Sequence, residues 1–162
     1  MSKDNNNGEL IKSGQVHEEN TIVGVVIVAH GNLAEALLTS SESIVGPLEK
    51  VKAVSIDSRN GVDRAMQNIR EAIEEVDAGA GVLILTDMFG GSPSNLSLSF
   101  LSEKHIEVVT GVNLPMLLKL SSYRQGHRLE EIKEVMCRYG REKIIAASDL
   151  LNKQLREKKL KS

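Results

Sequence analysis

One short apolar run constrains the fold of this chain more than any other feature. The run Ile22–Ala29 is apolar and mostly β-branched, and it leads into His30 and Gly31. A strand of this kind has no polar face to turn toward water, so it belongs inside a sheet that is covered on both sides. The segment Gly81–Thr86 (GVLILT) has the same character. Two fully buried strands predict an α/β fold with a mostly parallel sheet.

Helical patterns separate the strand candidates along the chain. Two further strands are predicted at Val51–Ile56 and Ile106–Val112. Apolar residues recur at helical spacing after each strand, in patterns that begin near Leu33, Val62, Pro93, Leu114 and Leu129. Strands that alternate with helices through short loops indicate βαβ units with right-handed crossovers. We therefore expect an open, mostly parallel sheet in the order 2-1-3-4 with helices on both faces.

The chain divides into a central domain and two polar ends. Residues 1–20 are polar and aperiodic and are interpreted as a flexible arm, whereas residues 21–150 are expected to form a single domain. Residues 151–162 form a basic tail, for which a solvated end is favoured over a nucleic-acid or membrane contact. The apolar run in REKIIAASDLL (141–151) is too short to decide between a strand and a helix.

The composition excludes several classes of function. Aromatic residues make up only 2% of the chain, which argues against stacking platforms for single-stranded nucleic acid and against a sugar site walled by rings. The formal net charge of −2 provides no strong field for a polyanion. The single cysteine, Cys137, excludes an intramolecular disulfide framework, and no segment has the pattern of a membrane span or a signal peptide. We expect a cytoplasmic protein without direct contact to nucleic acid or membrane.

Two polar residues follow the buried strands where open α/β sheets bind ligands. In such sheets, ligands bind beyond the carboxyl ends of the neighbouring strands at which the strand order reverses. His30 follows the first buried strand, and Asp87 follows the third strand. A carboxylate that accepts a hydrogen bond from one ring nitrogen fixes the tautomer of a neutral histidine and leaves the other nitrogen free as a nucleophile. The pair is therefore predicted to be catalytic.

The residues after Asp87 add the features of an anion site. Gly90 and Gly91 allow the backbone to turn its N–H groups outward, and Ser92 precedes a proline in the arrangement of a capped helix start. Together with His30 they point to phosphoryl transfer through a phosphohistidine. Each signal alone has a plainer interpretation: a structural histidine, an aspartate that caps a turn, and a glycine turn before a helix.

Other chemistries find less support in the sequence. It contains no GxxxxGK[ST] phosphate loop, no HExxH motif and no His/Cys cluster, so neither a cofactor nor a metal is expected. The remaining histidines, His17, His105 and His127, are assigned to surface or structural positions. The His30–Asp87 pair is therefore the candidate site.

Three motifs give the chain a specific resemblance to a known family. VVIVAHGNLAEALL, TDMFGGSPSNLS and TGVNLPML are similar, in order and spacing, to motifs of the enzyme IIA component of the mannose-type (mannose/fructose/sorbose) sugar phosphotransferase system. The resemblance extends over Ile22–Ser148, nearly all of the chain that we expect to be structured. It implies a phosphocarrier that takes a phosphoryl group from phospho-HPr and passes it to a IIB component for sugar uptake. No IIB domain is recognisable in this sequence.

The resemblance also implies roles for individual residues. His30 corresponds to the phosphorylated histidine, and Asp87 corresponds to the aspartate that pairs with it. Ser92 is expected to hold the phosphoryl group together with nearby backbone amides, for which Gly90 and Gly91 are the candidates. No metal is required for this transfer. A second group is assigned to the rim of the site or to partner docking and comprises Phe89, Asn113 and Met116.

The family is dimeric, with a C-terminal strand exchanged between subunits. The resemblance therefore implies a homodimer, and Lys143–Ser148 is the candidate for an exchanged antiparallel strand. The residues themselves leave open whether this segment is a strand or a helix.

Several other functions remain open at this stage. A regulatory phosphocarrier without onward transport, and a IIA-like domain for dihydroxyacetone phosphorylation, would both use His30 in the same way. A metal chelatase for tetrapyrroles would share the His-Gly pair after the first strand, although it leaves the DMFGGSP loop unexplained. A histidine phosphatase or mutase is disfavoured because Ala29, and not Arg, precedes His30.

Overall fold

The sheet has the strand order that the sequence predicts. The computed structural model describes residues 22–57, 59 and 61–160. In this part of the chain a four-stranded parallel sheet runs in the order β2-β1-β3-β4, with β1 at Gly24–His30, β2 at Val51–Ile56, β3 at Val82–Thr86 and β4 at Ile106–Thr110. The predicted α/β class and strand order are confirmed. The arm predicted at residues 1–20 lies outside the described residues.

Helices connect the strands and follow the last one. Their bounds are α1 at Leu33–Val45, α2 at Val62–Val76, α3 at Ser92–Leu98 with a 3-10 turn at Ser99–Ser102, α4 at Leu114–Tyr123, α5 at Leu129–Glu142 and α6 at Ala147–Leu160. Among the helices of the described residues, none combines the length and the apolar character that a membrane crossing requires.

The two faces of the sheet bury two separate cores. Along β1, Val25 and Ile27 pack into a cluster with residues of α1, α4 and α5. The alternate residues, Val26 and Val28, pack into a second cluster with α2 and with Phe100 of the 3-10 turn. Because neighbouring side chains of a strand point to opposite faces, a strand covered on both sides must be apolar at every position. The helices therefore cover both faces, as predicted.

Parallel pairing brings two strand ends to one edge of the sheet. β1 lies between β2 and β3, and Val28 is opposite Thr86 across the β1–β3 pair. His30 is the last residue of β1, and Asp87 is the first residue after β3. The fold thus places both predicted catalytic residues at the carboxyl edge.

The segment Lys143–Ser148, the candidate for an exchanged strand, is not a strand within the described residues of this single chain. Residues 144–146 form no regular structure in the described chain, and α6 begins at Ala147. Only Ile144 and Ile145 favour a strand, whereas good helix formers and an aspartate in the first turn follow them. The domain boundary expected at residue 150 falls inside this helix, and the basic tail is helical as far as residue 160.

Arg124 is a buried charge that the sequence analysis did not single out. Arg124 is the first residue after α4, and it is only 4% exposed. The guanidinium donates hydrogen bonds to the carbonyl groups of Val23, Glu49 and Lys50, at 3.0, 2.5 and 3.2 Å. These carbonyls lie just before β1 and β2, so one side chain fastens the amino ends of two adjacent strands.

We predict that Arg124→Met lowers the free energy of unfolding by about 2 to 3 kcal/mol, because the buried carbonyl of Val23 and the part-buried carbonyl of Glu49 lose the donor that Arg124 supplies. The carbonyl of Lys50 keeps the N–H of Val25 as a donor. Urea denaturation followed by circular dichroism measures this change. The matched control is Arg138→Met, since Arg138 is exposed on α5 and its loss should leave stability nearly unchanged. Equal stabilities of the two variants would show that the hydrogen bonds of Arg124 to the amino ends of β1 and β2 do not stabilise the fold.

Candidate active site

His30 and Asp87 form a hydrogen-bonded pair at the carboxyl edge of the sheet. The ring nitrogen Nδ1 of His30 lies 2.7 Å from Oδ2 of Asp87. The same carboxylate oxygen accepts the backbone N–H of His30 at 2.9 Å. The other oxygen, Oδ1, accepts the backbone N–H of Met88 at 2.8 Å. The carboxylate is therefore held by three groups and cannot turn away from the ring without losing them.

This arrangement selects one form of the imidazole. An ionised carboxylate only accepts hydrogen bonds, so Nδ1 of the neutral His30 carries the proton and Nε2 carries a free lone pair. The side chain of His30 is 48% exposed, whereas that of Asp87 is 12% exposed. The pair thus presents a nucleophilic nitrogen at the surface and keeps its orienting carboxylate underneath.

Asp87 is ionised at neutral pH. Its partial burial alone would raise the pKa of the carboxyl group, but the hydrogen bonds from the His30 backbone, the His30 ring and the Met88 backbone outweigh burial and lower the pKa below its ordinary value of 3.8. The stabilisation from these bonds is present above that ordinary value and is lost as the pH falls through the lower folded pKa. The pair is intact over the whole neutral range.

Gly91 lies against the free edge of the imidazole. A Cβ atom at this position would come within 2.6 Å of Cε1 and 3.2 Å of Nε2 of His30, so any side chain would collide with the ring. Gly90 before it adopts a φ of +85°, which favours glycine. The double glycine therefore lets the backbone pass directly beside the nucleophilic nitrogen. This loop is the one for which an anion site is predicted.

The start of α3 differs in one detail from the prediction. Ser92 is the first helical residue and Gly91 is the cap, and no side chain caps this helix start. Ser92 is exposed at the start of α3, and its hydroxyl is not used for capping.

Exposed apolar side chains flank the pair. Phe89 is 73% exposed, and Met88 beside it is 55% exposed. Leu33, in the first turn of α1, is also exposed. Met88 and Leu33 were not among the residues predicted for the site. The signal was present, because each is a large apolar residue within three positions of His30 or Asp87.

Two residues assigned to the rim have different surroundings. Met116 is only 2% exposed and packs in the core shared by α4 and α5, so it cannot be a docking residue. Asn113 is the N-cap of α4, where its Oδ1 accepts the backbone N–H of Met116 at 3.2 Å. An asparagine followed by Leu-Pro is a helix-start signal that could have identified this cap from the sequence.

The other histidines in the described chain lie away from this pair. His127 stacks on Tyr123 with the ring centroids 3.9 Å apart, and His105 adopts a φ of +68° in the turn before β4. Within the described ranges, no three His, Cys, Asp or Glu side chains come together as a metal site.

Comparisons with known proteins assign the chain to a family. The family model described as "PTS system fructose IIA component" matches residues 24–136. A PTS system fructose-specific EIIA component from Bacillus subtilis (strain 168) is 32% identical over 112 residues, which cover 68% of this chain and 77% of that protein. A PTS system mannose-specific EIIAB component from Escherichia coli (strain K12) is 31% identical over 126 residues, or 76% of this chain, and the match spans only 39% of that longer protein.

A solved structure agrees with the sequence matches. The crystal structure of a phosphotransferase system component EIIA from Streptococcus agalactiae superposes with a TM-score of 0.72 at 25% sequence identity. The match covers 79% of this chain and 99% of that one. The family model alone spans more than half of the chain and includes both His30 and Asp87. The chain therefore belongs to the mannose/fructose-type IIA family of the sugar phosphotransferase system.

Proposed function

We propose that the chain is a cytoplasmic phosphocarrier that accepts a phosphoryl group from phospho-HPr on His30 and passes it to a IIB component for sugar uptake. The observation that carries this proposal is the bond between Nδ1 of His30 and the Asp87 carboxylate, which leaves Nε2 free beside Gly91 on a side chain that is 48% exposed. Family membership supports it, because its relatives are named as IIA components of sugar systems.

The transfer consists of two successive displacements at phosphorus, one that accepts the phosphoryl group and one that passes it on. The lone pair on Nε2 of His30 attacks the phosphorus of the donor phosphohistidine, and the breaking P–N bond returns its electron pair to the donor ring. The His30 ring then carries phosphate on Nε2 and a proton on Nδ1, and the Asp87 carboxylate stabilises the positive charge of that ring. In the second step a nucleophile on IIB attacks the phosphorus, and the breaking P–N bond returns its electron pair to Nε2 of His30. Neither step requires a resident cofactor.

The glycine loop is the proposed cradle for the phosphoryl oxygens. Backbone N–H groups of Gly90, Gly91 and Ser92, with the Ser92 hydroxyl, are the donors assigned to them. Support comes from the approach of Gly91 to the ring and from the exposed position of Ser92. Donors fixed beforehand around the transferring group stabilise its charge without reorganisation during the reaction.

The exposed apolar side chains beside His30 are the proposed docking rim. Phe89, Met88 and Leu33 present apolar surface next to the reactive ring, where a partner protein must sit to exchange a phosphoryl group. The two partners use the ring in turn, so the rim is proposed to serve donor and acceptor alike.

The chain is further proposed to form a homodimer through its C-terminal segment. Ile144, Ile145, Leu150, Leu151 and Leu155 are all between 47% and 81% exposed, and they form the apolar side of residues 144–155. A second copy of the segment would remove this surface from water.

We predict that His30→Ala abolishes phosphorylation when the protein is incubated with phosphoenolpyruvate, enzyme I and HPr. The wild-type phosphate should be labile in acid and stable in base, as expected of a phosphohistidine. His127→Ala is the control. The ring of His127 stacks on Tyr123 and not on the His30–Asp87 pair, so this variant should be labelled normally. Undiminished labelling of His30→Ala would overturn the assignment.

Addition of a purified mannose-type IIB protein to the labelled chain separates a transport carrier from a regulatory one. Rapid loss of phosphate to IIB is expected. Retention of the phosphate with functional IIB present would support the regulatory alternative and contradict onward transfer.

We predict that Asp87→Asn slows phosphoryl acceptance by about a hundredfold or more. The amide of the variant can donate to Nδ1, which moves the ring proton to Nε2 and removes the nucleophilic lone pair. Rapid-quench kinetics with phospho-HPr measures the rate. The control is Asp63→Asn on the exposed first turn of α2, which should react at the wild-type rate. Equal rates for Asp87→Asn and the wild type would exclude tautomer control.

We predict that the double variant Leu151→Asp/Leu155→Asp shifts a wild-type dimer to monomer, because the added carboxylates cannot be buried against a partner. Sedimentation equilibrium measures the mass. Asn152→Asp, which adds charge to the same exposed helix without removing an apolar side chain, should remain dimeric. A monomeric wild-type protein would refute the dimer.

A further inference from the structure

Asn113 joins two helices through both ends of its side-chain amide. Its Oδ1 accepts the N–H of Met116 at the start of α4, and its Nδ2 donates to the carbonyl of Gly140 near the end of α5, at 3.3 Å. Gly140 has no room for a side chain, because a Cβ would come within 2.7 Å of Sδ of Met116 and 3.3 Å of Nδ2 of Asn113. A cap needs only the first of these bonds. The second bond therefore requires another explanation.

The turn that leads into Asn113 reaches the catalytic pair through one carbonyl group. The backbone N–H groups of Gly111 and Val112 both donate to the carbonyl of Thr86, each at 2.9 Å. That carbonyl belongs to the peptide group that joins Thr86 to Asp87. Two donors on one oxygen fix the plane of this peptide, and the plane sets the direction in which the Asp87 side chain leaves the backbone.

These contacts form one continuous path from α5 to the ring of His30. The path runs from Gly140 to Asn113, along the backbone to Gly111, and across to Thr86. Asp87 follows Thr86 directly and holds His30 at both its backbone N–H and its ring. Every step is a hydrogen bond or a peptide bond, and Thr86 at its centre is fully buried.

We propose that Asn113 is a positioning residue for the His30–Asp87 pair. The amide fixes the Gly111–Val112 turn against α5, and the turn fixes the peptide that carries Asp87. The effect on the ring follows from this geometry alone, whereas the effect on transfer rests on the proposed function. A misplacement of a reacting group by about 1 Å, caused by a change away from the chemistry, costs up to about a hundredfold in rate.

Two substitutions separate positioning from capping. Asn113→Ser keeps an oxygen that caps α4 but is too short to reach Gly140. Asn113→Asp also keeps the cap but places a carboxylate oxygen against the Gly140 carbonyl in place of a donor. Asn68→Ser, on the exposed side of α2, is the matched control.

The test measures the ring directly and the transfer separately. The full chain is labelled with ¹⁵N-histidine, and the Nδ1 and Nε2 chemical shifts report which nitrogen of His30 carries the proton. The wild type and the control should show the Nδ1–H form alone, and both Asn113 variants should show a mixture with the Nε2–H form. Acceptance from phospho-HPr at saturating donor should fall about tenfold, with the half-saturating donor concentration unchanged.

Each outcome decides a different point. If the bond to Gly140 were purely structural, its loss would at most lower the melting temperature. Wild-type ¹⁵N chemical shifts of His30 in both variants would therefore overturn the positioning role. A wild-type protein that is never phosphorylated, with the tautomer still altered in the variants, would refute the proposed function and leave the positioning role standing. If either variant fails to fold, Asn113→Gly keeps a residue type that is tolerated at an N-cap, lacks the Nδ2 donor to Gly140 and should alter the tautomer in the same direction.

Discussion

The parallel pairing of β1 with β3 is the constraint on which the candidate site depends. Parallel strands bring their carboxyl ends to the same edge, and the register with Val28 opposite Thr86 sets His30 beside Asp87. Each residue of register corresponds to about 3.3 Å along the strand. A slip of two residues would separate the groups by more than twice the length of their hydrogen bond, and a slip of one would turn the side chains to opposite faces. The two cores, which fix that register, are therefore also requirements of the site.

Most of the fold and the central pair could be predicted from the sequence, since both depend on local signals. A strand that is apolar at every position is predicted to be buried on both faces, and a polar residue directly after such a strand must lie at the edge of the sheet. His30 and Asp87 are placed by those two rules alone. The burial of Met116 could not be read from the GVNLPM motif, because the residues from Leu114 to Leu118 are apolar on all sides of the predicted helix and do not show which side faces the core.

The missed features depend on contacts between distant segments. Met116 is buried because Gly140, which is 24 positions away along the chain, has no side chain to exclude it. Arg124 is one of 20 basic residues, and only the three carbonyl groups around its guanidinium distinguish it from a surface arginine. At Ile144–Ile145 the β-branched pair favours a strand, but the helix-forming residues that follow outnumber it.

The bond from the His30 backbone to Oδ2 of Asp87 has a consequence for repeated use of the site. The imidazole gains and loses a positive charge in every cycle of the proposed transfer, and a carboxylate held by the ring alone would be drawn in and released each time. The backbone N–H of His30 carries a constant partial charge and holds the same oxygen throughout. Asp87 is thus anchored to a part of the molecule that does not change during the reaction. When the next donor protein binds, the Asp87 carboxylate is already in place beside the ring, so the pair does not have to re-form between cycles.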